Sequence, residues 1–542
     1  MEMKQFATDI PKPMLTNKVF GLTIGLFLTT LSHFSYSQTS PATPSSTHLG
    51  AMVKQTVKES WADIEPLGQD RQGVYYLGIP YEEMYSGPIA NDDFHLFLVN
   101  NDAELIKRNL VNFNIEGVKS RYEFTHEIGG KIIVFTSLER KDERVVSFYA
   151  QELDRDMLQL GTPKKIVELS FAQIKKNYNR ASFKSELSHD KSKLLISYGL
   201  VDDDRGLLSF GFVVLGNSVN QLSKWSGNLN MTDGFYLFDR FCVSNKGDVF
   251  LQTRYFENEN DRYGNTTLRK SQFISSARSM QYGKNYEYRV VKFENGTSKI
   301  FAIPNKNKFY DVLDMDIAPD GDLILIGFYS QLEDDSMPIG AATLKVNPKS
   351  GAMQESMKEF GNSYEMPSDI EDKNSTPVSN KEQYIRYRFI VSEIQFNSNG
   401  GYTLIGERNF THTKRTQQVD YTVNHLDDLA VVDVAASGKI NSVFKVEKSQ
   451  QAEDAQLFNA SYYYVENNNN KYIAFANMGK SSFRESVLVT IAPDGNQKRE
   501  VMFSTKDADV TIKPKDCKFY NGNLLMYGSK NNRYVRWMSR HL

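Results

Sequence analysis

Gly321-Asp-Leu-Ile-Leu-Ile-Gly327 decides the architecture of this chain. The tight polar turn Pro319-Asp-Gly leads into a strand that is apolar from Leu323 to Ile326 instead of alternating. A strand with one wet face alternates, whereas one that is apolar throughout is buried on both faces. Such a strand needs a sheet packed on either side of it. The phrase returns as Gly130-Lys-Ile-Ile-Val-Phe, Lys193-Leu-Leu-Ile-Ser-Tyr-Gly199, Gly247-Asp-Val-Phe-Leu, Gly401-Tyr-Thr-Leu-Ile-Gly406, Lys471-Tyr-Ile-Ala-Phe and Asn523-Leu-Leu-Met-Tyr-Gly528. A weaker copy, Gly73-Val-Tyr-Tyr-Leu-Gly78, opens the series. A repeat spacing of roughly 50–80 residues implies small units that cannot be stable singly.

Each copy reads as four strands. One strand precedes the turn, as in Phe389-Ile-Val-Ser-Glu-Ile-Gln-Phe396, and the apolar strand follows it. After a variable connection comes a third strand, such as Ala341-Ala-Thr-Leu-Lys-Val346 or Leu429-Ala-Val-Val-Asp-Val434. A turn such as Glu294-Asn-Gly-Thr or Pro493-Asp-Gly-Asn leads to the fourth. Asn-Gly and Asp-Gly between such runs are strong hairpin signals. The unit is therefore a four-stranded antiparallel meander. Arranging the units around an axis gives every second strand two neighbours and leaves only short edges.

The turns in Leu187-Ser-His-Asp-Lys-Ser-Lys-Leu-Leu-Ile-Ser and Ile317-Ala-Pro-Asp-Gly-Asp-Leu-Ile-Leu-Ile are similar to those of TolB-like and related bacterial β-propellers. The resemblance covers most of the chain after about residue 65 and implies the β-propeller fold alone; no Trp-Asp ending or recurring Gly-Gly pair extends it to WD40 or kelch repeats. The expected fold is all-β: a single propeller of seven or eight blades, with eight favoured. The last unit supplies only three strands, so a segment from Met52 to Trp61 is expected to add the fourth and close the ring with strands from both termini.

Composition narrows the compartment and the partner. The 542 residues carry 64 basic and 66 acidic side chains, a formal charge of −2, which favours neither nucleic acid nor an anionic membrane. Lys12 and Lys18 precede the apolar run Val19-Phe-Gly-Leu-Thr-Ile-Gly-Leu-Phe-Leu, and Ser35-Tyr36-Ser37 supplies small residues before Gln38. This pattern reads as a signal peptide over residues 1–37. A start at Met14 would give it a more ordinary length. A flexible Ser/Thr/Pro-rich leader is expected over 38–50 and the propeller over 51–542. The mature chain is expected in the periplasm, on the cell surface or outside, without a transmembrane segment. Cys242 and Cys517 lie four repeats apart and are expected to be free, because a ring would hold them beyond disulfide range.

The two ends of the ring should differ. Turns from first to second strand and from third to fourth read as short, and they share one end. Long connections gather at the other: Phe256 to Lys284, Phe410 to His425 and Gly361 to Glu382. Insertions gathered on one face often mark a binding face. Acids assigned to the same end include Asp202, Asp203, Asp204, Asp334, Asp335, Asp427 and Asp428, which form the candidate ligand-binding set. Interleaved Arg205, Lys414 and Arg415, and the absence of a calcium-loop spacing, favour mutually neutralised, solvated loops over a cation site. The 8 histidines include no zinc motif, and no Gly-x-Ser-x-Gly or phosphate loop occurs. His412 and His425 flank one long connection and are the first metal candidates, with a surface role the stronger reading. No metal, cofactor or catalytic residue is assigned. The expected function is non-enzymatic binding of an extracytoplasmic protein, peptide or glycan. The alternative is a carbohydrate-active hydrolase or lyase with acids in an axial pocket.

Overall fold

The computed structural model describes residues 47–55, 61–80, 94–177, 180–201, 209–229, 234–257, 286–294, 297–305, 308–331, 338–361, 388–392, 394–415, 420–453, 461–478, 484–530 and 534–542. The expected signal peptide and most of the expected leader lie outside them. The repeats form eight antiparallel sheets, each a blade, and in all but the last the main strands follow chain order. Blade 5 is the plainest: Lys308–Ile317, Leu323–Gln331, Gly340–Val346 and Met353–Glu359 pair in succession. First strands of successive blades lie beside one another, so they form the inner layer of a ring.

The core explains why the ring holds. Eight apolar clusters occupy the eight seams, from blades 1–2 round to 8–1. Each apolar second strand serves two of them. Leu323 and Leu325 pack toward blade 4, whereas Ile324 and Ile326 pack toward blade 6, and all four are fully buried. The same alternation sends Val74 and Tyr76 to blade 8, and Tyr75 and Leu77 to blade 2. The glycine that ends the phrase also has a steric reason. A Cβ on Gly327 would sit 1.8 Å from the Val312 carbonyl oxygen, and one on Gly406 would sit 2.3 Å from the Phe328 ring.

The chain ends close the ring. In blade 8, Asn523–Lys530 pairs with Tyr534–His541, whose far edge takes His48–Leu49 and Val53–Lys54. The closing segment therefore begins at His48, ahead of the expected boundary at residue 51, and Trp61 instead opens blade 1. Two short pieces replace the single expected strand, and Gly50 lies between them: its N–H donates to the Trp537 carbonyl, and a Cβ there would meet the Ala103 carbonyl oxygen at 2.2 Å. Cys242 and Cys517 are buried and unbridged, in blades 4 and 8.

Candidate functional site

Asp427 and Asp428 are not loop residues. The stretch from Phe410 to His425 is largely two strands: Tyr402–Arg415 and Asp420–Val434 pair from the blade 6 core out to Arg415 with Asp420. The part beyond Asn409 and Leu426 forms an arm at the long-connection end. Its far edge is covered by Gln451–Glu453, which pairs with Val423–His425. At the foot of the arm, the register jumps from Glu407↔Leu429 to Asn409↔Leu426, leaving Arg408, Asp427 and Asp428 in a bulge. A bulge of this kind bends a strand and re-aims its side chains.

The bulge buries charge. Asp427 and Asp428 are each 8% exposed, with Arg408 at 4% and Glu407 at 3%. Arg408 lies 3.1 Å from Asp428 and 3.9 Å from Asp427, and Lys445 lies 3.3 Å from Asp428. Lys448 reaches in from the connection to blade 7, with its ammonium 2.7 Å from Glu407. It also donates to the Leu426 carbonyl and to Gln450 Oε1. Three acids thus meet three bases at the foot of the arm, with both candidate carboxylates among them. Burial pushes the Asp427 carboxyl up although Arg408 pulls it down, and burial pushes the Lys448 ammonium down against Glu407. Asp202, Asp203, Asp204, Asp334 and Asp335 lie outside the described residues. His412 pairs with Val423 and His425 with Phe410 along the arm. Among the described residues, no three His, Cys, Asp or Glu side chains gather as metal ligands.

On the first strands, arginines tie blades together. Arg240 of blade 4 holds Asp314 of blade 5 at 2.8 Å and Glu186 of blade 3 at 3.1 Å, a belt across three inner strands. Asp239, set out by the bulge between Phe238 and Arg240, takes a two-pronged bond from Arg254 on the second strand. At the long-connection end of blade 4, the Arg289 guanidinium lies 3.4 Å from the Tyr255 ring centroid and donates to Glu287. At the short-turn end, His189 of blade 3 meets the Phe396 ring of blade 6 with centroids 4.8 Å apart. That contact links blades that are not neighbours.

The short-turn end departs from the expected turns in one blade. The connection from third to fourth strand in blade 2 is not tight: Gln159–Leu160 folds back onto Leu153–Asp154 before Lys164–Ser170 begins. The fold-back helps to form a cleft of about 630 Å³ lined by Lys131, Glu152, Asp154, Arg155 and Thr162, among others. Its charges are already engaged. Lys131 pairs with Glu152 at 2.7 Å, and Arg155 donates to the Gly130 carbonyl and lies 3.4 Å from Asp70. The signal in the sequence is Gly161-Thr-Pro163, too far beyond Asp154 for a two-residue turn.

No protein-family profile and no curated protein sequence matches the chain. Solved structures similar to it include polysaccharide lyase Uly1, at 12% identity over 79% of this chain and 94% of that one, TM-score 0.35. The β-propeller domain of the Trilobed protease from Pyrococcus furiosus, described as having an open velcro topology, aligns at 11% identity over 81% and 94%, TM-score 0.35. The WD40 domain of SCAP from fission yeast aligns at 8% identity over 92% and 99%, TM-score 0.34. These likenesses are too remote to bear on activity. By its own eight sheets and eight shared seams, the chain is an eight-bladed β-propeller.

Proposed function

We propose that this is an exported, non-enzymatic propeller that binds a protein, peptide or glycan through its long-connection end. The observation that supports the reading is the one-sided outgrowth of blade 6. Two of its strands run seven residue pairs past the bulge, from Asn409↔Leu426 to Arg415↔Asp420. An arm on a rigid ring supplies surface for a partner at little ordering cost. Export rests on the N-terminal pattern ending at Ser37. The alternative of a hydrolase or lyase calls for acids free to act on substrate. Among the described residues, Glu186, Asp239 and Asp314 of the first strands are engaged by arginines instead.

The test compares the two ends. Joining Asn409 to Leu426 through Asn-Gly removes the arm at a register pair. Lys246→Glu with Lys349→Glu reverses two exposed charges at the short-turn end. In a pull-down from the envelope fraction, arm removal is expected to abolish partner capture and the charge reversal to leave it intact. Capture that survives arm removal and fails with the charge reversal would place the function at the opposite end.

A further inference from the structure

One turn lies across the axis at the short-turn end. It runs from Ser188 to Ser192, between the first and second strands of blade 3. The Lys191 carbonyl accepts from the Gly129 N–H of blade 2, and the Asp190 N–H donates to Asn245 of blade 4. His189 meets Phe396 of blade 6. The Lys191 ammonium acts on Lys518, which opens the strand Lys518–Tyr520 of blade 8. Blades 6 and 8 are not neighbours of blade 3, so the turn reaches them over the axis.

Two lysines meet beside this turn with too little acid. Lys518 is half-buried, and among the described residues no carboxylate pairs with its ammonium and no acceptor takes a hydrogen bond from it. Burial lowers its pKa and Lys191 lowers it further, while Glu127 acts the other way. That acid is already shared, 3.8 Å from Lys191 and 3.7 Å from Arg155. Arg155 also faces Asp70 at 3.4 Å. Three bases therefore stand against two acids. A charge withdrawn from water without a partner is costly, and a bound counter-charge removes that cost. The Lys191 side chain is 56% exposed, so the place opens to solvent on that side.

We propose that Lys518 and Lys191 hold a compact oxyanion of the phosphate class at the short-turn end of the axis. Lysine binds such ions as a point charge, and these two ammoniums come from blades that only the ring brings together. A single excess positive charge beside a capping turn favours a small free ion over an anionic polymer. An ion bound by the folded ring alone also stabilises it by linkage, so it acts as a tie across the axis. The site lies at the end opposite the arm and does not rest on the binding role proposed there.

Calorimetric titration of the full protein with inorganic phosphate, at constant ionic strength, tests it. Saturable binding is expected, weakened about tenfold or more by Lys518→Met and by Lys191→Met. Lys246→Met, at an exposed lysine on a turn of the same end, should leave it unchanged. Without phosphate, Lys518→Met should unfold in urea no earlier than the parent, since it loses an unmatched charge. With phosphate, the parent should gain a saturable rise in urea midpoint that this variant lacks. Absence of saturable binding by the parent, or binding that survives Lys518→Met, overturns the proposal. So does a lower urea midpoint for Lys518→Met without phosphate, which would show that the ring already satisfies this ammonium.

Discussion

Blades 5 and 6 are neighbours made from the same phrase, and they use it differently. In blade 5 the second strand stays apolar from Leu323 to Ile326, feeding two seams, and ends at Gln331. In blade 6 the strand starts alike, with Leu404 packed toward blade 5 and Ile405 toward blade 7. After Gly406 it turns to Glu407 and Arg408 and runs on to Arg415. The first half of the phrase therefore belongs to the ring, and the residues beyond the glycine are open to elaboration. Where the strand leaves the seam, the core changes from apolar packing to matched charge.

The largest effect expected from breaking this contrast lies at the foot of the arm. Lys448→Met would leave Glu407 buried without its cation, at a cost of about 3–5 kcal/mol in urea unfolding. Adding Glu407→Gln should recover part of that loss. Full recovery would mean that the ion pair adds nothing beyond what apolar and neutral groups supply. Leu325→Ala in blade 5 should cost about 2–5 kcal/mol, because its fully buried side chain fills the seam to blade 4. A loss below about 1 kcal/mol would mean that the seam collapses around the change and is loosely packed.

A titrating group inside a seam gives a third handle. His126 lies at the blade 2–3 seam, 2.7 Å from Ser185 Oγ, and burial lowers its pKa to about 4. The folded pKa lies below the unfolded value near 6.5, so the unfolded chain binds the proton more readily. The stabilisation is complete above about pH 6.5 and is lost as pH falls toward 4, an effect of ~3 kcal/mol. Urea midpoints measured across that range should fall in the parent and fall less in His126→Gln. Parallel profiles would remove His126 as a source of acid sensitivity. The smallest effect is expected from joining Asn409 to Leu426 through Asn-Gly. The eight seams remain, so stability should change by no more than about 1 kcal/mol; a larger loss would make the arm part of the ring's core.

The ring was legible because its signal is local. Leu323 to Ile326 needs two apolar neighbours wherever the chain puts them, and Pro319-Asp-Gly fixes the turn before it. Blade 6 was not legible for the opposite reason. Asp427-Asp428 reads as a polar loop, yet the groups that make its burial tolerable, Arg408 and Lys448, sit on other segments that only the fold brings together. A bulge that sets aside one residue on one strand and two on its partner leaves no periodic trace. The arm itself, Phe410 to His425, alternates too little in polarity to announce a strand. The closing pieces at His48 and Val53 were hidden by their brevity, and Gly50 was the available hint.

The closed ring depends on the two ends of the chain meeting in blade 8. Leu49 and Met538 are register partners there, and partners in an antiparallel pair lie about 4.5–5.5 Å apart at Cα, within disulfide range. The direct test is Leu49→Cys with Met538→Cys, oxidised and mapped by mass spectrometry. The account predicts an intramolecular bridge between the two new thiols, with Cys242 and Cys517 left unmodified and unfolding still cooperative. Failure of that bridge to form in folded protein, while the variant keeps its native circular dichroism, would contradict the closed ring.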